Sequence, residues 1–422
     1  MPELPVGKRP FHAFLSHAHV DREHADRLAG WLRDVVDAPV WYDAVNLPPG
    51  ATEAAALPEA IERSRSLILL LCKESVRRGW VQQEFNLAIN HQTRYPEFRI
   101  IPVRLDDVEP PGFLQNYSNI PLGADGPDLE SAAGILKGLY QPAATFDATN
   151  GRNVYFGRGW QVSDVPLAEV VMLALANAGL QLIGDCEDQP SWVEARVGGV
   201  IETCGAFAAV LPYRANRPQR TSRYVLREWE LAQARGLPCL VVADPRVELA
   251  PEVRRRGGLV TLPGPEAADS GTLTGLAETL RDDWRVPARS PYVFYATEFD
   301  PQRMQLRRTA RELVEAVTVL PCVLGEFVRG DAVQREILRA VCGAALVLAD
   351  ISGDDPNVYI QLGAAVAGDV PIALFRQDAP GAPPFLLDDQ QVWDYATPAD
   401  LLGRVTRTAY PYRRTLLASR RP

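Results

Sequence analysis

Short apolar runs alternate with amphipathic stretches along this chain, and the alternation repeats. Leu67, Ile68, Leu69, Leu70, Leu71 and Cys72 form one such run, flanked by charge. It is too short for a buried helix and reads as a parallel strand covered on both faces. After a polar turn, Trp80, Phe85, Leu87, Ala88 and Ile89 fall at helical spacing, with Trp80 and Glu84 four apart and therefore on one helix face. Upstream, residues 11–15 predict a strand and residues 16–19 a polar break. Asp21 is placed to cap a helix carrying Leu28, Trp31, Leu32, Val35 and Val36. Residues 40–42 predict a second strand running into the Pro- and Gly-set loop 43–50, residues 57–61 a helix, and residues 100–103 a closing strand. The order β-α-β-α-β-α calls for a parallel sheet with helices on both faces.

The same pattern returns twice. Residues 153–156 and 292–295 match the first strand, and residues 204–211 and 342–348 match the buried run. A helix start with a marked polar residue follows each: Glu228, four after Tyr224, and Gln361. Phe14 to Glu84, Phe156 to Glu228 and Phe294 to Gln361 span 70, 72 and 67 residues. Strands at 237–242 and 370–375 close the later copies. The expected fold class is therefore α/β, with three tandem flavodoxin-like or Rossmann-like parallel-sheet units at 1–145, 150–288 and 289–422. Polar, Pro-containing stretches at 141–152 and 284–291 suit linkers. Residues 167–182 read as one helix, apolar almost all round and so buried between layers or units, and 399–409 as a closing helix.

Composition narrows the partners. A length of 422 residues exceeds one core. The net charge of −9 without a long basic run argues against duplex nucleic acid. The short arginine groups at 254–256, 413–414 and 420–421 read as solvated surface. No apolar stretch approaches the ~18 residues a membrane span needs, and residues 1–10 lack the apolar core of a secretion signal. A soluble cytoplasmic protein is the expectation. The six cysteines form no CxxC, and the crowding of His12, His17, His19 and His24 does not make a ligand set, so neither a disulfide framework nor a metal site is expected.

An indole beside a carboxylate just past a parallel strand stands where open α/β sheets hold ligands. Taken alone, the residue types favour Trp80 as a core residue and Glu84 as a solvated helix carboxylate. The stretches FLSHAHVD, WYDAVNLPPG and ILLLCKESVRRGWVQQEF, in that order, resemble the three signature boxes of a Toll/interleukin-1 receptor (TIR) domain over residues 10–122. In enzymatic members of that family a glutamate four residues after a Trp is the catalytic residue of an NAD-cleaving glycohydrolase. The resemblance implies catalysis by Glu84 and a substrate pocket bordered by Phe14, Ser16, His17, Asp43, Leu47, Gly50 and Trp80. NAD is then substrate and no cofactor is called for.

The third unit's LADISGDDPNVYIQLGAAVAG is similar to the nucleotide-handling segment of nucleoside 2-deoxyribosyltransferase-like proteins. Gln361 stands where that family has its nucleophilic carboxylate, and an amide can bind ribose hydroxyls but not attack. This unit reads as a binder, with Asp350, Asn357 and Gln361 as candidate contacts for a small nucleotide signal. The middle unit keeps a carboxylate, so Tyr224 and Glu228 are a candidate second site. The whole resembles a bacterial antiphage effector: a TIR NADase, hydrolysing or cyclising NAD, that self-associates when a C-terminal sensor is occupied. Two alternatives stay open, a non-catalytic TIR signalling scaffold and an N-glycoside transferase working through Glu228.

Overall fold

A computed structural model of the chain describes residues 6–46, 53–77, 80–141, 151–184, 192–255, 257–262, 270–325, 331–353, 355–377 and 391–417. Three separate sheets are present. The first contains β1 (Ala13–Ser16), β2 (Val40–Trp41), β3 (Ser66–Leu71), β4 (Arg99–Arg104) and β5 (Ile120–Pro121), in the order β2-β1-β3-β4-β5. The second contains β6 (Arg152–Gly157), β7 (Leu180–Gly184), β8 (Ala206–Leu211), β9 (Cys239–Ala243) and β10 (Leu259–Thr261). The third contains β11 (Ser290–Thr297), β12 (Cys322–Leu324), β13 (Ala344–Asp350), β14 (Ile372–Gln377) and β15 (Val392–Tyr395). Counted from its own first strand, these five parallel strands follow the same order in each sheet, 2-1-3-4-5, and the second sheet gains a sixth, antiparallel strand at its edge. The repeat read from spacing is thus a repeat of topology.

Central strands show why. β3 and β8 are buried along their whole length, as is β13. Alternate residues of β3 enter different cores: Leu67, Leu69 and Leu71 on one face, Ile68 and Leu70 on the other. β8 does the same with Phe207, Ala209 and Leu211 against Ala206, Ala208 and Val210. A strand covered twice must be apolar throughout, and those are the runs visible in the sequence.

Several expectations are corrected. Each unit has a fifth strand beyond the one expected to close it. These strands are short and partly exposed, so no apolar run marks them. The helix expected over 167–182 is Val165–Asn177 followed by β7, because Gly179 turns the chain at φ +81°. It buries one face, through Leu167, Val171, Met172 and Leu175, while Leu173 is exposed. Asp21 precedes the helix Arg22–Trp31 but makes no side-chain capping bond. Arg413 and Arg414, expected in solvent, are buried. Among the described residues no helix is long and apolar enough to cross a membrane.

The first and third units share a core. Ile68 and Leu70 of the first sheet and Leu346 and Leu348 of the third lie in one continuous cluster. Between them stand the helices Leu129–Tyr140, Met304–Thr318 and Pro398–Ala409 with the helical turn Leu32–Val36. Arg404 Nη1 donates to the Asp34 carbonyl at 3.1 Å, and Lys137 pairs with Glu312 at 3.6 Å. The chain's last described segment then ties all three units. Arg413 Nη1 donates to the Tyr140 carbonyl at 3.1 Å, the Arg414 amide donates to the Thr318 carbonyl at 3.0 Å, and β16 (Thr415–Leu416) pairs antiparallel with β7. Burying two guanidinium groups is costly unless acceptors receive them, here the Tyr140 carbonyl for Arg413 and Cys204 Sγ for Arg414, which fixes where this segment can lie.

Gly403 sits at the closest approach of this shared core. A Cβ there would lie 2.7 Å from Val35 Cγ1 and 3.2 Å from Val36 Cγ2. Gly403→Leu should lower stability by about 2 kcal/mol through overpacking. Gly363→Ala, in a helix position with nothing within 4 Å of the new methyl, should instead raise it by up to about 1 kcal/mol. Thermal unfolding of the two variants checks the contrast; equal shifts would mean that Val35 and Gly403 do not set the interface.

Candidate functional site

The site in the first unit is built where β1 and β3 diverge. In this strand order the connections from β1 and β3 leave in opposite directions, which opens a crevice at the carboxyl ends of the strands. β1 ends at Ser16, and the helix Trp80–Arg94 crosses behind it. Phe85 and Ala88 of that helix pack in the core formed with Phe14, Leu67, Leu69 and Leu71. Ala88 lies one turn beyond Glu84, so the face that packs Ala88 also carries the Glu84 side chain inward. Glu84 is 2 % exposed and accepts a hydrogen bond from Ser16 Oγ, itself 2 % exposed.

Around this pair the loops are tied to one another. Tyr42, just after β2, donates its hydroxyl to Asp26 Oδ1 at 2.7 Å and its amide to Asn46 Oδ1 at 2.8 Å. The His17 ring leans on Tyr42 at 5.3 Å between centroids. Phe14 lies in the core, edge-on to Trp41 at 5.2 Å, where it supports β1 beneath the crevice. Leu47 and Gly50 lie outside the described residues, as do the side chains of Asp43 and Trp80.

The other two units carry the marked side chain in the same place. Glu228, on the helix Arg223–Ala234, is 4 % exposed beneath the end of β6. The residue there is Gly157, and a Cβ on it would strike Glu228 Oε2. With no serine available, Trp192 Nε1 donates to Glu228 Oε1 at 2.9 Å. Tyr224 is exposed and faces Trp192 at 5.6 Å. In the third unit Gln361, on the helix Pro356–Ala367, is 2 % exposed. Its amide faces Gly325, where a Cβ would stand 2.8 Å from Oε1. Gln361 Oε1 is buried without a hydrogen-bond partner among the described residues.

Asp350 and Asn357, expected beside Gln361, are engaged locally. Asn357 donates its amide and Nδ2 to Asp355 Oδ1, both at 2.9 Å, and so serves the start of its helix. Asp350 accepts from Tyr395 Oη at 2.9 Å and from the Ser352 amide at 3.1 Å, and pairs with Arg303 at 3.3 Å. Burial, then the Asp350 charge, pushes the Tyr395 phenol up to about 12, so it remains a donor at neutral pH. Arg303, Tyr395 and Trp192 were not identifiable from sequence. Each lies in a loop, a single helical turn or at a strand end without a motif, and only the fold brings it to its carboxylate. Among the described residues no group of three or more His, Cys, Asp or Glu could hold a metal ion.

Comparison with known proteins assigns the first unit. The family model described as a TIR domain matches residues 13–135. No curated protein matches the chain. Among solved structures, the TIR domain of the Toll-related receptor TRR-2 from Hydra magnipapillata is 17% identical, covering 26% of this chain and 83% of that one, with a TM-score of 0.23. The C-terminal domain of glucosamine-fructose-6-phosphate aminotransferase from Francisella tularensis is 7% identical over 68% of this chain and 87% of that one, with a TM-score of 0.21. A carbohydrate transporter from Acidothermus cellulolyticus 11B is 12% identical over 61% and 85%, with a TM-score of 0.18.

A buried amide oxygen without a partner costs about 1–3 kcal/mol, and packing alone does not require one. Gln361→Met, which keeps the volume and removes the oxygen, should therefore leave the unfolding midpoint unchanged or raise it. A marked fall would show that the amide is already satisfied in the free protein.

Proposed function

We propose that the TIR domain at residues 13–135 is an NAD glycohydrolase whose reacting group is Glu84, and that the two following units regulate it. The observation that carries this reading is the buried Glu84 carboxylate, accepting from Ser16 at the carboxyl edge of β1. Burying a carboxylate is expensive, and an apolar residue would pack the helix at lower cost. A partner-binding scaffold has no use for a carboxylate in that crevice; a glycosyl-cleaving site does.

One carboxylate is sufficient for the chemistry. Glycoside cleavage ordinarily needs an acid for the leaving group and a second group for the sugar. Nicotinamide in NAD is already cationic. Its bond to the ribose C1′ breaks with the electron pair leaving on nitrogen, which makes nicotinamide neutral without a proton. The positive charge moves to C1′ and the ring oxygen, and a fixed anion nearby stabilises it. Glu84 supplies that anion, either directly or by accepting from the ribose hydroxyls, and Ser16 keeps it aimed. Water capturing C1′ gives ADP-ribose and a proton; capture by the adenine ring gives a cyclic product.

The third unit is proposed as the sensor, with Gln361 Oε1 accepting from a hydroxyl-bearing nucleotide signal and self-association of TIR domains as the response. Control of this kind has a physical reason, since an unregulated NADase would exhaust its own cell. By the resemblance in sequence, the setting we propose is antiphage defence.

The reading is tested by following NAD loss with the purified full chain, with and without extract of infected cells. Glu84→Gln should cut turnover by at least about a hundredfold, and Ser16→Ala by about tenfold, with unfolding midpoints near wild type. A wild-type chain that leaves NAD intact under both conditions contradicts the reading. Loss that survives Glu84→Gln but vanishes in Glu228→Gln would move the reaction to the middle unit.

A further inference from the structure

Asp350 ends the central strand of the third sheet, and its carboxylate is 3 % exposed. Its partners come from three directions. Ser352 belongs to the loop just after β13 and donates both its amide and its hydroxyl. Tyr395 ends β15 and donates its hydroxyl at 2.9 Å. Arg303 pairs with the same carboxylate oxygen at 3.3 Å and also donates to Tyr395 Oη.

Two of these partners stand at the heads of helices that reach the TIR domain. Arg303 immediately precedes the helix Met304–Thr318. Tyr395 is two residues before Thr397, which caps the helix Pro398–Ala409 in a reciprocal box with Asp400 at 3.0 and 3.2 Å. The opposite faces of those helices enter the shared core: Leu313, Val314 and Val317 from one, Leu401, Leu402 and Val405 from the other, against Ile135, Leu136 and Val36. One carboxylate thus fixes the start of both helices on which the TIR helix Leu129–Tyr140 is seated.

We propose that Arg303, Asp350 and Tyr395 form a latch through which the carboxyl edge of the third sheet controls the seating of the TIR domain. Removing one member leaves a buried charge or hydroxyl short of one partner, and the two helix heads are the elements able to move in response. A close-packed core does not deform continuously, so a displaced helix head is passed on as a shift of the packed face. The carboxyl edge of such a sheet is also where a ligand would arrive. This deepens the sensor reading of the third unit by supplying its route, but it rests on packing and not on any ligand.

The test is hydrogen exchange on the full chain, which uses no NAD and so stands apart from the catalytic reading. Wild type is compared with Asp350→Asn, Tyr395→Phe and Asp394→Asn. The last removes an exposed pair with Arg376 at 2.9 Å, one residue from Tyr395, and serves as control. Exchange in residues 129–140 should rise about tenfold in Asp350→Asn and Tyr395→Phe, the factor that accompanies loss of one hydrogen bond to a charged group. It should not change in Asp394→Asn, and β8 should stay protected throughout. A rise confined to residues 344–353 and 391–400, or one spread evenly over the chain including β8, overturns the proposal. If Asp350→Asn fails to fold, Tyr395→Phe, which removes a single oxygen, decides the matter by the same readout.

Discussion

A carboxylate buried at the end of a parallel strand is the constraint on which the first unit depends. At 2 % exposure, the Glu84 side chain is tolerable there only while a donor faces it and the geometry is fixed. Ser16 can be that donor because β1 stops there. The helix Trp80–Arg94 can bring Glu84 to it because Phe85 and Ala88 lock that helix onto β3. The apolar run of β3 is therefore more than core: it sets the height at which the acid meets the strand end.

The three units solve the same problem with different chemistry. The first pairs acid with serine; the second replaces the serine by Gly157 and recruits the Trp192 indole; the third replaces the acid by Gln361 and faces it with Gly325. One backbone plan thus offers a carboxyl group faced by a serine, a carboxyl group faced by an indole, and an amide. The shared core between first and third units adds a mechanical link to this chemical series, and the segment 413–417 closes it by reaching the edge of the second sheet.

Legibility in the sequence tracked burial. β3, β8 and β13 are covered on both faces, so each shows as an unbroken apolar run, and their spacing exposed the repeat. The fifth strands leave no period in the sequence because they are two to four residues long and only partly buried, as in Ile120–Pro121 and Leu259–Thr261. The stretch 167–182 has the pattern of one helix because apolar residues continue across the turn at Gly179. Glu84, Glu228 and Gln361 were visible as polar residues in apolar helix starts. Their partners Trp192 and Gly325, and the Asp350 partners Arg303 and Tyr395, were not, because a donor 36 or 45 residues away leaves no local signature. The buried Arg413 and Arg414 have the pattern of surface for the same reason: Arg413 donates to the Tyr140 carbonyl and Arg414 Nη2 to Cys204 Sγ, both far away in the chain.

The distance from the Glu84 side chain to the nicotinamide-bearing ribose of bound NAD decides whether this group acts on the sugar. A crystal structure of the full chain bearing Glu84→Gln, soaked with intact NAD, would measure it. We predict the dinucleotide in the crevice between β1 and β3, with the nicotinamide-bearing ribose within hydrogen-bond reach of the residue-84 side chain. NAD bound elsewhere, or in that crevice with residue 84 directed away from the ribose, would contradict the account.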